Sequence, residues 1–136
     1  MTPKEYLLRA WQIEKRIDRL IEEREHIWGR AEAVHSPVIS DMPKGRGTRE
    51  WTDTVHELVD LCRTLDTEIR QLCRVKREVA EAIEAVEDVR LRRILELRYR
   101  SYMTWEQIAD ETGYDLRYVY KLHGRALLDV RWGARQ

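Results

Sequence analysis

The chain has 136 residues, and its 25 lysines and arginines balance 25 aspartates and glutamates, so the formal net charge is zero. Hydrophobic residues make up 43% and charged residues 37%, with only three prolines and six glycines, a mixture that favours long helices. No apolar run approaches the roughly 18 residues of a membrane span, and the first residues lack the apolar core of a secretion signal. We therefore expect a cytoplasmic protein with no membrane partner.

The two cysteines argue against disulfide and metal chemistry. Cys62 and Cys73 lie in one predicted helix, about 16 Å apart along its axis, whereas a disulfide needs Cα atoms within about 7 Å. No CxxC spacing suggests a metal ion. The sequence also lacks a glycine-rich phosphate loop, an HExxH motif and a nucleophile elbow. We expect reduced thiols, no cofactor and no enzymatic activity.

Two long stretches carry apolar residues at alternating steps of three and four, the spacing of helices that pack as coiled coils. The first helix is predicted over about 3–34, with Thr2 as N-cap and Pro3 in its first turn. The second is predicted over 52–87. The expected seams are Tyr6, Ala10, Ile13, Ile17, Leu20, Arg24 and Ile27, and then Val55, Leu58, Cys62, Leu65, Ile69, Leu72, Lys76, Val79, Ile83 and Val86.

Neither long helix can hide its apolar stripe alone, so the simplest solution folds the two into an antiparallel hairpin. The second helix is longer, and its unpaired end needs the C-terminal domain or a second subunit. We expect an all-α protein whose residues 1–87 form a coiled-coil-like helical hairpin arm, and a homodimer formed through that arm. The arm either dimerises or docks a partner, and the sequence leaves both open.

Residues 35–50 break the helical pattern and are predicted to form a loop. They contain Pro37, Pro43, Gly45 and Gly47, which punctuate helices. The basic cluster within this segment, Lys44–Arg49, suits either phosphate contact or a solvated loop.

The character of the chain changes at Asp88, so we predict a second domain over residues 88–136. The seam period is lost, and ten lysines and arginines face seven acidic residues there. Asp88 is expected to cap a helix that buries Leu91, Ile94 and Leu95, and Ser101–Met103 follows as a connector.

Two further helices are predicted after that connector. Thr104 and Gln107 form a capping box for the first, which ends at Gly113, a residue free to adopt positive φ. Asp115 then caps a longer helix that turns residues 116, 119, 122, 126 and 127 inward. A short helix, a glycine turn and a longer helix are typical of a helix-turn-helix, whose second helix enters the DNA major groove.

Candidate DNA contacts lie on and beside this second helix. Arginine and lysine can bond guanine O6 and N7, and tyrosine hydroxyls can bond phosphate. The candidates are Arg117, Tyr118, Tyr120, Lys121, Arg125, His123 and Thr104. Gly124 leaves room for close approach to a nucleic-acid backbone.

Several nearby residues have two interpretations. His123 is either a phosphate donor or a partly buried histidine that bonds a backbone carbonyl. Arg90, Arg92 and Arg93 are either a solvated face or contacts to the DNA backbone. Trp105 is expected in the core, and Arg98 and Tyr99 are expected to link the helices of the domain.

The same stretch resembles region 4 of bacterial sigma factors, and more closely the phage and prophage regulators of the ArpU/RinA type. The resemblance covers about 40 residues, carried by Leu95–Tyr99, Thr104–Ala109, Gly113–Tyr114 and Arg117–Leu127. It implies a trihelical helix-turn-helix head and a DNA-binding transcription regulator. The chain departs from a sigma factor because its arm does not read as a promoter-melting region 2. An activator acting with host RNA polymerase is therefore the more consistent expectation.

Two other functions compete with transcription regulation. A small terminase subunit also joins a helix-turn-helix to a helical oligomerisation hairpin, but small terminases usually place the DNA-binding head first. A protein-docking module without DNA binding is the other alternative, because region 4 of sigma factors also docks on polymerase. The basic face of the second helix argues moderately against it.

Overall fold

Helix accounts for almost all of the computed structural model, which describes residues 1–35 and 44–133. Within these ranges lie α1 (Pro3–His35), α2 (Lys44–Glu84), α3 (Val89–Leu95), α4 (Trp105–Thr112) and α5 (Leu116–Asp129). A single π-helical turn, Glu96–Arg100, continues from α3. The described ranges contain no β-strand, and the all-α prediction is confirmed.

The ends of the helices follow from local capping. Thr2 Oγ1 accepts a hydrogen bond from the Glu5 amide (3.2 Å), while the Thr2 amide donates to Glu5 Oε2 (2.8 Å). At α3, the Asp88 carboxylate accepts bonds from the amides of Arg90 (2.9 Å) and Leu91 (3.4 Å). Such bonds satisfy amides that have no partner within the helix, so α1 and α3 begin where the sequence places their caps.

The second long helix differs from the prediction at both ends. It begins at Lys44 rather than at residue 52, so the part of the predicted 35–50 loop from residue 44 onward is helical. Residues 36–43 of that loop lie outside the described residues. Glycine costs a helix only about 1 kcal/mol, and no proline follows Pro43 to stop the helix. The helix ends at Glu84 rather than at residue 87, and the Val86 amide bonds the Ile83 carbonyl.

The predicted seam of α1 is largely confirmed, because Tyr6, Ala10, Ile13, Ile17 and Ile27 are buried. The predicted seam of α2 is wrong at three of its ten positions. Positions 65, 79, 83 and 86 are buried as expected and 55, 58 and 72 are half-buried, but the residues at 62, 69 and 76 are exposed. The buried column lies one residue earlier, at Leu61, Val75 and Ala82.

The chain divides into two compact units. The terminal unit comprises Met1–Ile13 and Leu72–Gln136, and the central unit comprises Glu14–Gln71. The predicted domain boundary at 87/88 coincides with the break between α2 and α3, but the terminal unit takes in residues on both sides of it.

Ion pairs join α1 and α2 inside each unit. In the terminal unit, Arg9 pairs with Glu78 at 2.8 Å. In the central unit, Arg16 pairs with Glu68 and Arg30 with Glu57, both at 3.2 Å. The partner number falls as the α1 number rises, so the two helices run in opposite directions within the central unit.

The core of the terminal unit combines the three short helices and the π turn with buried residues of α1 and α2, such as Leu7 and Ile83. The helix α5 packs against both α3 and α4, and the π turn contacts α3 and α4. The Trp132 ring, which follows α5, stacks on Tyr6 of α1 with 5.1 Å between centroids. The fully buried side chains here include Ile94, Leu95, Ile108, Val119 and Leu122.

Candidate nucleic-acid interface

A capping box begins α4, and a glycine turn separates α4 from α5. The predicted capping box is confirmed: Thr104 Oγ1 accepts from the Gln107 amide (3.2 Å), and Gln107 Oε1 accepts from the Thr104 amide (2.9 Å). Gly113 closes α4 with φ of 75°, in the left-handed region that favours glycine. Asp115 occupies the N-cap position of α5 without a side-chain bond. Thr104 is exposed, and its hydroxyl hydrogen remains available to a phosphate.

The helix α5 has one buried and one exposed face. Val119, Leu122 and Ala126 have no exposed surface, which fixes the rotation of the helix. The opposite side is exposed and is called here the α5 face; its residues are Arg117, Tyr120, Lys121, Gly124, Arg125 and Leu128, and the exposed Asp129 lies at its C-terminal edge. Four of the seven predicted contact residues therefore lie together on one surface.

The three cations of the α5 face lie on one helix and have no ion pair across residues 1–35 and 44–133. In the same unit, Arg93 pairs with Glu111 at 3.8 Å and Arg100 with Glu84 at 3.7 Å. Arg74 and Arg77 of α2 are exposed and also have no ion pair within those ranges. The α5 face is therefore distinguished by the grouping of Arg117, Lys121 and Arg125 on successive turns of one helix.

Tyr118 and Arg90 lie at the side of the α5 face. The Arg90 guanidinium donates a 2.8 Å hydrogen bond to the Tyr118 hydroxyl and also pairs with Asp88 at 3.6 Å. The half-buried Tyr118 ring meets Tyr114 edge-on, with 5.1 Å between centroids. These contacts hold Tyr118 in one orientation and bring the basic end of α3 beside α5.

Trp105, the first residue of α4, packs against α5 and the π turn, but it is half-buried and not in the core, where the sequence predicts it. The Arg98 guanidinium lies 4.3 Å from the Trp105 ring centroid, and the Arg98 Nη1 donates to the Met103 carbonyl at 2.9 Å. Tyr120 meets the edge of Trp105 with centroids 5.4 Å apart, although 47% of Tyr120 is exposed. The Trp105 indole thus packs against the inner side of the Tyr120 ring, which belongs to the α5 face.

His123 points away from the α5 face. Its Nε2 lies 2.6 Å from the Tyr99 hydroxyl, and its ring packs 4.5 Å from that of Trp105. The bonding partner is a phenol, and not the backbone carbonyl that one interpretation of the sequence expected. Burial, with lesser effects of the positive charges of Lys4 and Arg98, lowers the His123 pKa to about 4. A neutral, internally bonded imidazole favours packing over phosphate donation.

Two features of this region escaped sequence reasoning. The first is the π turn, which adds a residue to the turn that follows α3. The amide of Ser101, directly after this turn, donates to the Glu96 carbonyl at 3.0 Å. Leu128 is 84% exposed on the α5 face. A helical wheel signals this exposure, because Leu128 lies four residues after Gly124 and eleven after Arg117.

The remaining features of the described ranges concern metals, membranes and cysteines. Among the described residues, no group of three or more histidine, cysteine or acidic side chains is arranged to hold a metal ion. No described helix combines the length and apolar character needed to cross a membrane. Both cysteines are free and exposed.

The described chain is thus an all-helical protein with a cationic face on its last helix. A family model described as protein of unknown function, DUF1492, matches residues 33–130, and the chain belongs to that family. No curated protein and no solved structure matches the chain.

Proposed function

We propose that this protein is a sequence-specific double-stranded DNA-binding transcription regulator of phage or prophage origin. In this proposal α4 and α5 form a helix-turn-helix on a trihelical, sigma-region-4-like head, and α1 and α2 form an antiparallel hairpin arm. The α5 face enters the major groove, which is about 12 Å wide and admits one helix with its side chains.

The α5 face is the observation that carries the proposal. Arg117 and Lys121 lie one turn apart on it, and Arg125 follows at the next turn, none with an acidic partner among the described residues. Cations that are not neutralised internally attract phosphates and can release counterions on binding. The zero net charge of the whole chain hides this local concentration.

The surroundings of the face also suit recognition. Tyr120 is braced by Trp105, and Tyr118 is held by Arg90, so both phenols are oriented before any ligand arrives. Side chains that are already ordered lose less conformational entropy on binding. Thr104 and Arg90 stand at the starts of α4 and α3, where the first helices of such motifs contact the DNA backbone.

The resemblance to region 4 of sigma factors supports an activator that works with host RNA polymerase. A protein-docking role is the second candidate, and one observation favours it. Leu128 exposes 84% of its surface on the same face as Tyr120, which is 47% exposed, and aromatic residues are enriched in protein–protein interfaces. Polymerase contact through Leu128 is compatible with DNA contact through Arg117 and Lys121.

We also propose that the arm joins a second copy of this chain. The central unit carries an apolar groove, lined by Trp28, Trp51, Val55, Leu58, Val59 and Cys62, with Arg63 and Asp66 at its rim. Asp66 already pairs with Arg70 of its own chain at 3.1 Å, so the apolar lining of the groove, and not its rim charges, supports this interface. A dimer would present two α5 faces to two DNA half-sites.

A selection experiment tests the proposed function. The purified protein is incubated with a library of phage genomic fragments across a series of salt concentrations, and its mass in solution is measured alongside. Enrichment of one sequence, with affinity that falls steeply as salt rises, supports the regulator. If no DNA is retained even at low salt, the regulator is excluded and docking through the α5 face becomes the leading function. A ring-sized oligomer would favour DNA packaging instead.

A further inference from the structure

Gly124 lies on the α5 face at a position where the fold does not require a glycine. It lies inside α5 and is exposed, in a helical backbone conformation that every residue type adopts. Apart from its two chain neighbours and the backbone of its own helix, a Cβ atom built on Gly124 meets no atom of the described residues within 4 Å. Glycine is among the poorest helix formers, so alanine would fit this position and strengthen the helix. Packing within the chain therefore gives no reason for a glycine here.

Because Gly124 has no side chain, it leaves a gap between the exposed side chains of its neighbours. Lys121 and Tyr120 lie one turn before it, and Leu128 lies one turn after it, all exposed on the same face. These side chains stand above the helix surface, and the bare backbone at Gly124 forms a gap between them. A partner can approach the helix axis there by about 2 Å more than at a residue with a side chain.

The charges around this gap indicate the partner. Lys121 lies one turn before it and Arg125 is the next residue along the chain, and neither has an ion pair among the described residues. Two cations on one side of exposed backbone suit an anionic chain that packs edge-on against the helix, and the sugar–phosphate backbone of DNA has that chemistry.

We propose that Gly124 is a contact position, at which the sugar–phosphate backbone packs directly on α5 while Lys121 and Arg125 bond the flanking phosphates. This inference rests on the proposed DNA-binding function. It differs from it in assigning a role to a residue that has no donor, no charge and no side chain.

The chain supplies a matched control for the test. Gly29 is also exposed within a helix, α1, and a Cβ there likewise meets no atom within 4 Å. Gly124→Ala and Gly29→Ala should both raise the thermal midpoint of the full chain, because alanine favours helix at each site. Only Gly124→Ala should weaken binding to a labelled duplex of the selected sequence, by about tenfold or more, with Gly29→Ala binding as the wild type does.

The outcomes separate the two proposals. If the wild type binds no duplex, the proposed function fails and the role of Gly124 fails with it. If the wild type binds and Gly124→Ala binds equally well with a raised midpoint, only the contact role is overturned. A lowered midpoint for Gly124→Ala would also overturn it, because the glycine would then serve the fold.

Discussion

The phenol oxygen of Tyr99 lies 2.6 Å from Nε2 of His123, and this bond joins the π-helical turn to the middle of α5. Burial raises the Tyr99 pKa to about 12, against an opposing effect of Arg98. Burial also lowers the His123 pKa to about 4, helped by the charges of Lys4 and Arg98. Both groups are therefore neutral at pH 7, and the contact that orients α5 from behind is an uncharged one.

The first prediction follows from this titration. The unfolded chain protonates His123 near pH 6.5, whereas the folded protein resists protonation until about pH 4. Stability that is present above pH 6.5 is therefore lost as the pH falls towards 4, because the unfolded state binds more protons in that window. His123→Gln should reduce the loss of unfolding free energy between pH 7 and 5 by about 1 kcal/mol, after allowance for solvent screening.

Urea unfolding followed by circular dichroism at several pH values measures this difference. His26→Gln, at an exposed position on α1, is the matched control and should keep the wild-type pH dependence. Equal pH dependence in wild type and His123→Gln would show that His123 does not titrate as a buried group.

The second prediction tests the rotation of α5. Val119→Asp places an unpaired carboxylate where no surface is exposed, and it should cost about 3 kcal/mol or more and unfold the terminal unit. Leu128→Asp, on the same helix but 84% exposed, should leave the thermal transition within about 0.5 kcal/mol of the wild type. Similar transitions for both variants would mean that the buried and exposed faces are assigned wrongly.

The third prediction concerns Arg98. Its guanidinium covers Trp105 and bonds the Met103 carbonyl, so Arg98→Ala removes a cation–π contact and leaves a carbonyl unpaired. We expect a loss of about 1–2 kcal/mol in denaturant unfolding. Arg93→Ala breaks only an exposed pair with Glu111 and should cost about 0.5 kcal/mol or less. Equal losses would show that the Arg98 contacts add no stability.

The fourth prediction tests the proposed homodimer, in which a second copy of the chain binds the groove of the central unit. Val59 lines the groove of the central unit and is 42% exposed, so Val59→Glu would bring two like charges into a twofold interface. The mass of the Val59→Glu variant in solution should be that of a monomer at concentrations where the wild type is a dimer. Val89→Glu, at a 66% exposed valine on α3, should keep the wild-type mass. A wild type that is monomeric at all concentrations would contradict the proposed dimer.

Much of the fold follows from local sequence signals. The caps at Thr2, Asp88 and Thr104 and the turn at Gly113 depend on residues at most three positions apart, and each was predicted correctly. The exposure of Arg117 and Lys121 followed from the helical period once Val119 and Leu122 were placed inside. Whether these cations contact DNA stays a prediction.

The parts that sequence reasoning missed depend on tertiary choices. Two sets of positions on α2 fit a seam. One runs through Cys62, Leu65 and Ile69, and the other through Leu61, Leu65 and Val75. Both sets are partly apolar, and in both the spacing alternates between three and four residues. Packing decides between them, and Glu68 enters the seam because Arg16 pairs with it. The π turn has no periodic signal in the sequence, and its Tyr99 is buried and bonds His123, which lies 24 positions later in the chain.

Salt-dependent binding to the selected duplex tests the central claim most directly. The wild type is compared with an Arg117→Ala/Lys121→Ala double variant, and Arg19→Ala, an exposed arginine of α1, serves as the control. We predict that the double variant keeps the wild-type thermal midpoint, binds at least tenfold more weakly, and shows a slope of log K against log salt reduced by about 0.9 for each phosphate that it no longer neutralises. Wild-type affinity and slope in the double variant would contradict the assignment of the α5 face as the DNA-binding surface.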